Sequence, residues 1–155
     1  TLFPYTTLFR SHMWLRSETD SLCVGCGDNV IYEISLEDGR ICRDFKGHED
    51  YIHGISGIGR DKLYSASEDG SVRFWSFTEK ESVGIIEPYK NDKLARPEMG
   101  KWLGSLATND DWLVCGGGPK LSLWHLRTME CTSDFPFPGK VHVCDFVEAQ
   151  AFWSR

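Results

Sequence analysis

One hairpin constrains this chain more than any other stretch, because the chain uses it more than once. It reads "SEDGSVRFW" at residues 67–75. Glu68, Asp69 and Gly70 form the turn, since Asp hydrogen-bonds its own backbone and Gly tolerates positive φ. The run 71–77 is rich in β-formers, and "KLYSAS" at 62–67 supplies a second short strand before the turn. Two other segments, "GDNVIYEISL" (27–36) and "GGPKLSLWHL" (117–126), lay over "EDGSVRFWSF" (68–77) without a gap. Ile34, Trp75 and Trp124 then share one position, at intervals of 41 and 49 residues. The first interval fits the roughly 40–45 residues of a four-stranded propeller blade. The second is longer by eight, and the polar run "KNDKLARPEMG" (90–100) supplies the excess. Each unit has flanking runs that read as strands: "RICRDF" (40–45), "YIHGISGIG" (51–59), "ESVGIIEPY" (81–89), "KWLGSLAT" (101–108) and "CTSDFPF" (131–137). Four short strands per unit, with no helical period, predict an all-β, radially repeated fold.

The stretch "GHEDYIHG" adds a family resemblance. Gly47-His48, then 26 residues, then Trp75-Ser76 resembles the Gly-His and Trp-Asp signature of the WD-repeat β-propellers. The resemblance implies a buried structural hydrogen-bond set of His48, Ser65 (or Ser67), Asp69 and Trp75. The physical need is general, because a buried imidazole and a buried indole N–H must each find a partner. The other units depart from the pattern. Ile34 replaces the Trp of the first, Gly118 replaces the Asp of the third, and Pro88-Tyr89 stands in the third unit's Gly-His slot. Only the second unit should hold the full set.

The run "RP-x-x-GKWLGSLATNDDWLVCGGGPKLSLWHLR" (96–127) is similar, within that family, to a WD-repeat subunit of a nuclear assembly that processes and exports mRNA. The resemblance extends over about 20–146. It implies a non-catalytic scaffold in the nucleus, working through the other protein subunits of its assembly and meeting RNA only indirectly. The alternative is a WD-repeat scaffold or substrate adaptor of another intracellular complex, such as a ubiquitin ligase.

The expected organisation follows from these repeats. Residues 1–13 read as a non-native leader outside the blades, 14–46 as a partial blade, and 47–89 as a complete one. Residues 90–138 read as a blade with an insertion at 90–100, and 139–155 as the start of a further blade. The chain is thus expected to be part of a propeller of about seven blades.

The remaining features favour modest readings. The formal net charge is −6 and no Lys/Arg cluster exists, so bulk electrostatics make a poor nucleic-acid binder. No apolar stretch approaches the roughly 18 residues of a membrane span, so no membrane is expected. Cys23 and Cys26 form a lone C-x-x-C on an expected strand, where that spacing points the thiols to opposite faces. With no second such pair, packed thiols are expected rather than a metal site, and no cofactor or small-molecule substrate is expected. His53 is expected at the surface, and His125 packed beside Trp124. "CGGGPK" (115–120) lacks the spacing of a phosphate loop and joins two strands instead. No nucleophile can be paired with a His and an acid from the sequence, so catalysis is not expected. The insertion 90–100 is either a solvated loop or a docking ridge for a protein partner. In the second reading Arg96 is the anchor and Tyr89, Lys93 and Trp102 flank it, because Arg, Tyr and Trp dominate interface hot spots.

Overall fold

The computed structural model describes residues 12–146. Its twelve strands form three antiparallel sheets of four, each a simple meander. The first holds β1 (His12–Arg16), β2 (Ser21–Gly25), β3 (Ile31–Ser35) and β4 (Ile41–Phe45). The second holds β5 (Ile52–Ile58), β6 (Lys62–Ser67), β7 (Val72–Ser76) and β8 (Gly84–Ile86). The third holds β9 (Leu103–Thr108), β10 (Trp112–Gly117), β11 (Ser122–His125) and β12 (Glu130–Asp134). The first strands stand side by side, with β5 between β1 and β9, so the sheets stack radially as three propeller blades.

Equivalence of the blades shows in their register. Ile34 pairs with Leu22, Trp75 with Leu63 and Trp124 with Leu113, each across the second and third strands. The gapless overlay of the three hairpins therefore describes real structural positions. Three boundaries differ from the sequence reading. Strand β1 begins at His12, whose partner is Gly25, so His12 and Met13 belong to the first blade and not to the leader. The rest of that leader, residues 1–11, and residues 147–155 lie outside the described residues. Strand β12 stops at Asp134 and β8 spans only Gly84–Ile86, both shorter than the apolar runs suggested.

The core lies between the blades. One cluster joins Cys23, Ile31 and Phe45 of the first blade to Ile52, Ile55, Leu63, Trp75 and Phe77 of the second. The other joins Tyr64, Ala66, Val72, Phe74 and Ile86 of the second to Leu94, Leu103, Leu106, Leu113, Cys115 and Trp124 of the third. Successive side chains on a strand point to opposite faces, so Leu63 and Trp75 serve one interface while Tyr64 and Phe74 serve the other. A sheet buried on both faces needs apolar residues without a polar alternation. That accounts for "VRFWSF" reading as a nearly continuous run. Trp14 adds to the first interface by lying flat on Gly57 of β5, where a Cβ would collide with the indole ring.

The insertion 90–100 is exposed over about half its length but is anchored to the third blade. It carries a 3₁₀ turn at Pro97–Met99, just after another at Pro88–Lys90, and its one leucine, Leu94, is 1% exposed within the core. The Leu94 carbonyl accepts the Lys120 N–H at 2.9 Å, which ties the insertion to the turn between β10 and β11. The glycines of that turn are required by space. A Cβ on Gly118 would run into the Gly100 carbonyl, and one on Gly117 into the Trp102 carbonyl. Gly118→Ala should therefore destabilise the chain by about 1–3 kcal/mol through overpacking, read as a lower urea midpoint. An unchanged midpoint would show that the two segments do not approach as described.

Candidate functional site

Four polar side chains of the second blade form one connected line. His48 lies just before β5, Ser65 on β6, Asp69 in the β6–β7 turn and Trp75 on β7. His48 Nδ1 meets Asp69 Oδ2 at 2.8 Å and His48 Nε2 meets Ser65 Oγ at 2.7 Å. Trp75 Nε1–H donates to Ser65 Oγ at 2.8 Å. Two directions are fixed by chemistry: the indole can only donate, so Ser65 Oγ accepts from it, and an ionised carboxylate can only accept. With His48 Nδ1–H donating to Asp69, a neutral imidazole accepts from the Ser65 hydroxyl at Nε2. Ser67, the alternative acceptor, works elsewhere: it donates to the Asp50 carbonyl at 2.9 Å and accepts the Asp69 N–H at 3.1 Å.

Asp69 anchors the line. Burial on its own would raise its pKa. Hydrogen bonds from His48, from Ser71 (Oγ at 2.6 Å) and from the Glu49 N–H (3.0 Å) outweigh burial and hold the carboxyl well below its ordinary value. Asp, His and Ser in this order share the connectivity of a hydrolytic triad. The accessibility does not fit that role, since Ser65 is 0% exposed and its oxygen is occupied by Trp75. The line holds the blade together and presents no nucleophile.

The other two blades meet the same need differently. In the third, Cys115 stands at the place of Ser65, and the Trp124 indole turns to Ser122 Oγ at 2.8 Å on its own strand. In the first, Ile34 brings no N–H, and Val24 stands at the place of Ser65 with no polar group to satisfy. There a buried Glu33 accepts from Ser21 Oγ at 2.7 Å and pairs with Arg16 at 2.9 Å. Arg16 also donates to the Arg60 carbonyl and stacks over Phe77 at 3.8 Å, so it ties the first blade to the second.

The residues expected to dock a partner are not one exposed ridge. Arg96 is partly buried, and its guanidinium reaches six backbone carbonyls: Gly117, Gly118, Pro119, Phe137, Pro138 and Gly139. It is a clamp across the head of the third blade, which lacks both the His and the Asp of the second. Trp102 is half-buried, donates to the Met99 carbonyl at 2.9 Å and stacks on His142. Tyr89 covers Gly70 and bonds Glu87. Of the four, only Lys93 is exposed.

A cleft of about 750 Å³ opens on the side lined by the first strands, with Trp14, His53, Glu68, Trp102 and His142 among its walls. His53 meets Glu68 at 3.1 Å there, while His125 sits edge-on to Trp112. Cys23 and Cys115 are buried thiols whose pKa burial pushes up to about 12, which leaves them unreactive. Cys26 follows the end of β2, so the C-x-x-C straddles a strand end and does not lie within one strand. Among the described residues, no three His, Cys, Asp or Glu side chains gather closely enough to hold a metal ion.

No protein-family model matches the chain. Individual relatives do. A Drosophila melanogaster protein named THO complex subunit 6 is 55% identical over 88% of this chain. The human protein of that name is 44% identical over 86%, and the Arabidopsis thaliana one 34% identical over 86%. This chain is a homologue of THO complex subunit 6. It spans 39%, 40% and 35% of the length of those THO complex subunit 6 relatives.

Ser65→Ala would leave both the Trp75 N–H and His48 Nε2 without their buried partner. It should cost about 1–3 kcal/mol, seen as a lower denaturant midpoint. Ser122→Ala should lower the midpoint by a similar route in the third blade, while Val24→Ala should cost only packing. Acid gives a second test. Asp69 has a folded pKa below its ordinary value of 3.8, so its contribution is fully present above that value and is lost as the pH falls from there toward the lower folded pKa. Stability should fall between about pH 5 and pH 2, and Asp69→Asn should be less stable at neutral pH and flatter over that range. Equal slopes for the two proteins would refute the assignment.

Proposed function

We propose that this chain is a non-catalytic scaffold of the THO complex, acting in mRNA processing and nuclear export as part of the wider TREX assembly. The observation that carries the reading is the 55% identity over 88% of the chain to a protein named THO complex subunit 6. The architecture supports it. Stacked blades give a rigid surface made of turns and strand edges, and the polar line that could suggest catalysis is sealed. The partners in this reading are other subunits of that complex, bound through protein surfaces. A formal charge of −6 argues that RNA is met through those subunits and not directly. No described helix is long and apolar enough to cross a membrane.

Affinity purification of the tagged chain from cells tests the reading. It should recover THO subunits, and a fluorescent fusion should concentrate in the nucleus. Recovery of a ubiquitin-ligase core in their place would transfer the chain to the other class of WD-repeat scaffold. Arg96→Glu needs care in such work: it should lower thermal stability and loosen the third blade, so lost recovery with a lowered melting temperature reports the clamp and not a contact.

A further inference from the structure

Two arginines stand in the seam between the first and second blades with no carboxylate to meet them. Arg43 lies on β4 and Arg73 on β7. Alternation puts Arg43 on the face that carries Phe45 and Arg73 on the face that carries Trp75, and those two rings meet at 5.7 Å. Both sides of this seam are described, so its burial is that of a formed interface. Arg16, Arg40 and Arg127 each pair with a carboxylate, whereas Arg43 and Arg73 have no ion pair among the described residues. Arg73 is partly buried beneath the backbone of Gly47, where a Cβ would stand 3.0 Å from its Nη1. Its Nε is buried and has no hydrogen-bond partner among the described residues. An arginine that only packs its stem keeps its head in water. Burying part of an unpaired guanidinium costs free energy, and an anion is what recovers it.

Both side chains reach one loop, the connection from β7 to β8. Arg43 Nη1 donates to the Glu79 carbonyl at 3.2 Å, and Arg73 Nη1 donates to Ser82 Oγ at 3.1 Å. The hydroxyls of Ser76 and Thr78, at the start of the loop, bond each other at 2.8 Å. Ser82 instead offers its oxygen to a cation. It sits between exposed Glu81 and Val83, and Glu79 and Lys80 are exposed as well, so a modifying enzyme meets the loop from solvent. A neutral hydroxyl is a weak acceptor for a guanidinium. A phosphoserine brings a charge of about −1.5 to −2 and three strong acceptor oxygens to the same place.

We propose that Ser82 is a phosphorylation site, and that Arg73 together with Arg43 on the same loop is the built-in receptor for its phosphate. A protein kinase transfers the γ-phosphoryl group of ATP to Ser82. The Oγ–P bond forms, the bond to the ADP oxygen breaks, and the hydroxyl proton passes to the kinase's base. The phosphate then accepts from Arg73 of its own blade and from Arg43 of the first, which fastens the loop across the seam. The rim loop thus has two states, held through a hydroxyl in one and through a dianion in the other. The inference goes beyond the scaffold reading and does not depend on which complex the chain serves.

Two measurements test it. The tagged chain is recovered from cells with phosphatases inhibited and digested with trypsin, and the peptide 81–90 is sequenced by mass spectrometry. Ser82 and Tyr89 are the hydroxyl residues of that peptide, so fragment ions assign the modified one. Phosphate on Ser82 is the expected result, and its absence overturns the site. The chain made with Ser82→phosphoserine by codon reassignment is then titrated by phosphorus NMR. The second phosphate pKa, about 6 when free, should fall by about one unit, because a neighbouring cation favours the dianion. The melting temperature should rise by about 3 °C. R73Q should remove most of the pKa shift and R43Q part of it. Both variants are also melted without the phosphate, and if R73Q does not fold, R43Q and the parent decide. An unshifted pKa in the parent, or a shift that survives the substitutions, overturns the receptor.

Discussion

A four-stranded sheet with apolar side chains on both faces cannot stand alone in water, and everything else in this structure follows from how that is solved. The second blade sends Leu63, Trp75 and Phe77 toward the first blade and Tyr64, Val72 and Phe74 toward the third. Neither set is buried until a neighbour arrives. Each fully buried side chain of this kind contributes roughly 1.5–3 kcal/mol, so the stacking of blades is the main favourable term. The arrangement also sets what the outside can be. Strands are spent on neighbours, and turns and outer edges are left to meet other molecules.

Burial of that kind creates a polar debt at every blade head, because turns and indole N–H groups are carried into the interface. The three blades settle it with different residues. The second uses a directional line from Trp75 to Asp69. The third replaces the acceptor by Ser122 and replaces the His and Asp by a guanidinium on backbone carbonyls. The first drops donor and acceptor together, with Ile34 and Val24 at the two places. Loss of a partner is tolerated where its counterpart is lost as well, which is what the cost of an unpaired buried group demands.

That compensation explains what could be seen in the sequence and what could not. Spacing, turn chemistry and the positions of Ile34, Trp75 and Trp124 were legible because a repeat imposes them at fixed intervals. The members of the second blade's polar line were legible for the same reason, through the family resemblance. The clamp by Arg96 was not, since its acceptors are carbonyls from residues 117–139 and a carbonyl carries no sequence signature. Leu94 was hidden as the one leucine in a largely polar run. Ser122 was hidden because an acceptor two places before Trp124 on the same strand has no counterpart in the second blade, where Arg73 stands. His12 and Met13 were set aside with a leader that does not resemble a blade, although strand β1 starts there.

Native-state hydrogen exchange, read peptide by peptide, tests the central claim most directly. If blades are stable because neighbours cover both of their faces, amides on β6 and β7 should exchange slowest, with free energies near the global value. Those on β2 and β3, covered on one described face, should open earlier. Equal protection in the two regions, or faster exchange on β6 and β7, would mean that each sheet holds itself together without its neighbours, and the account would be wrong.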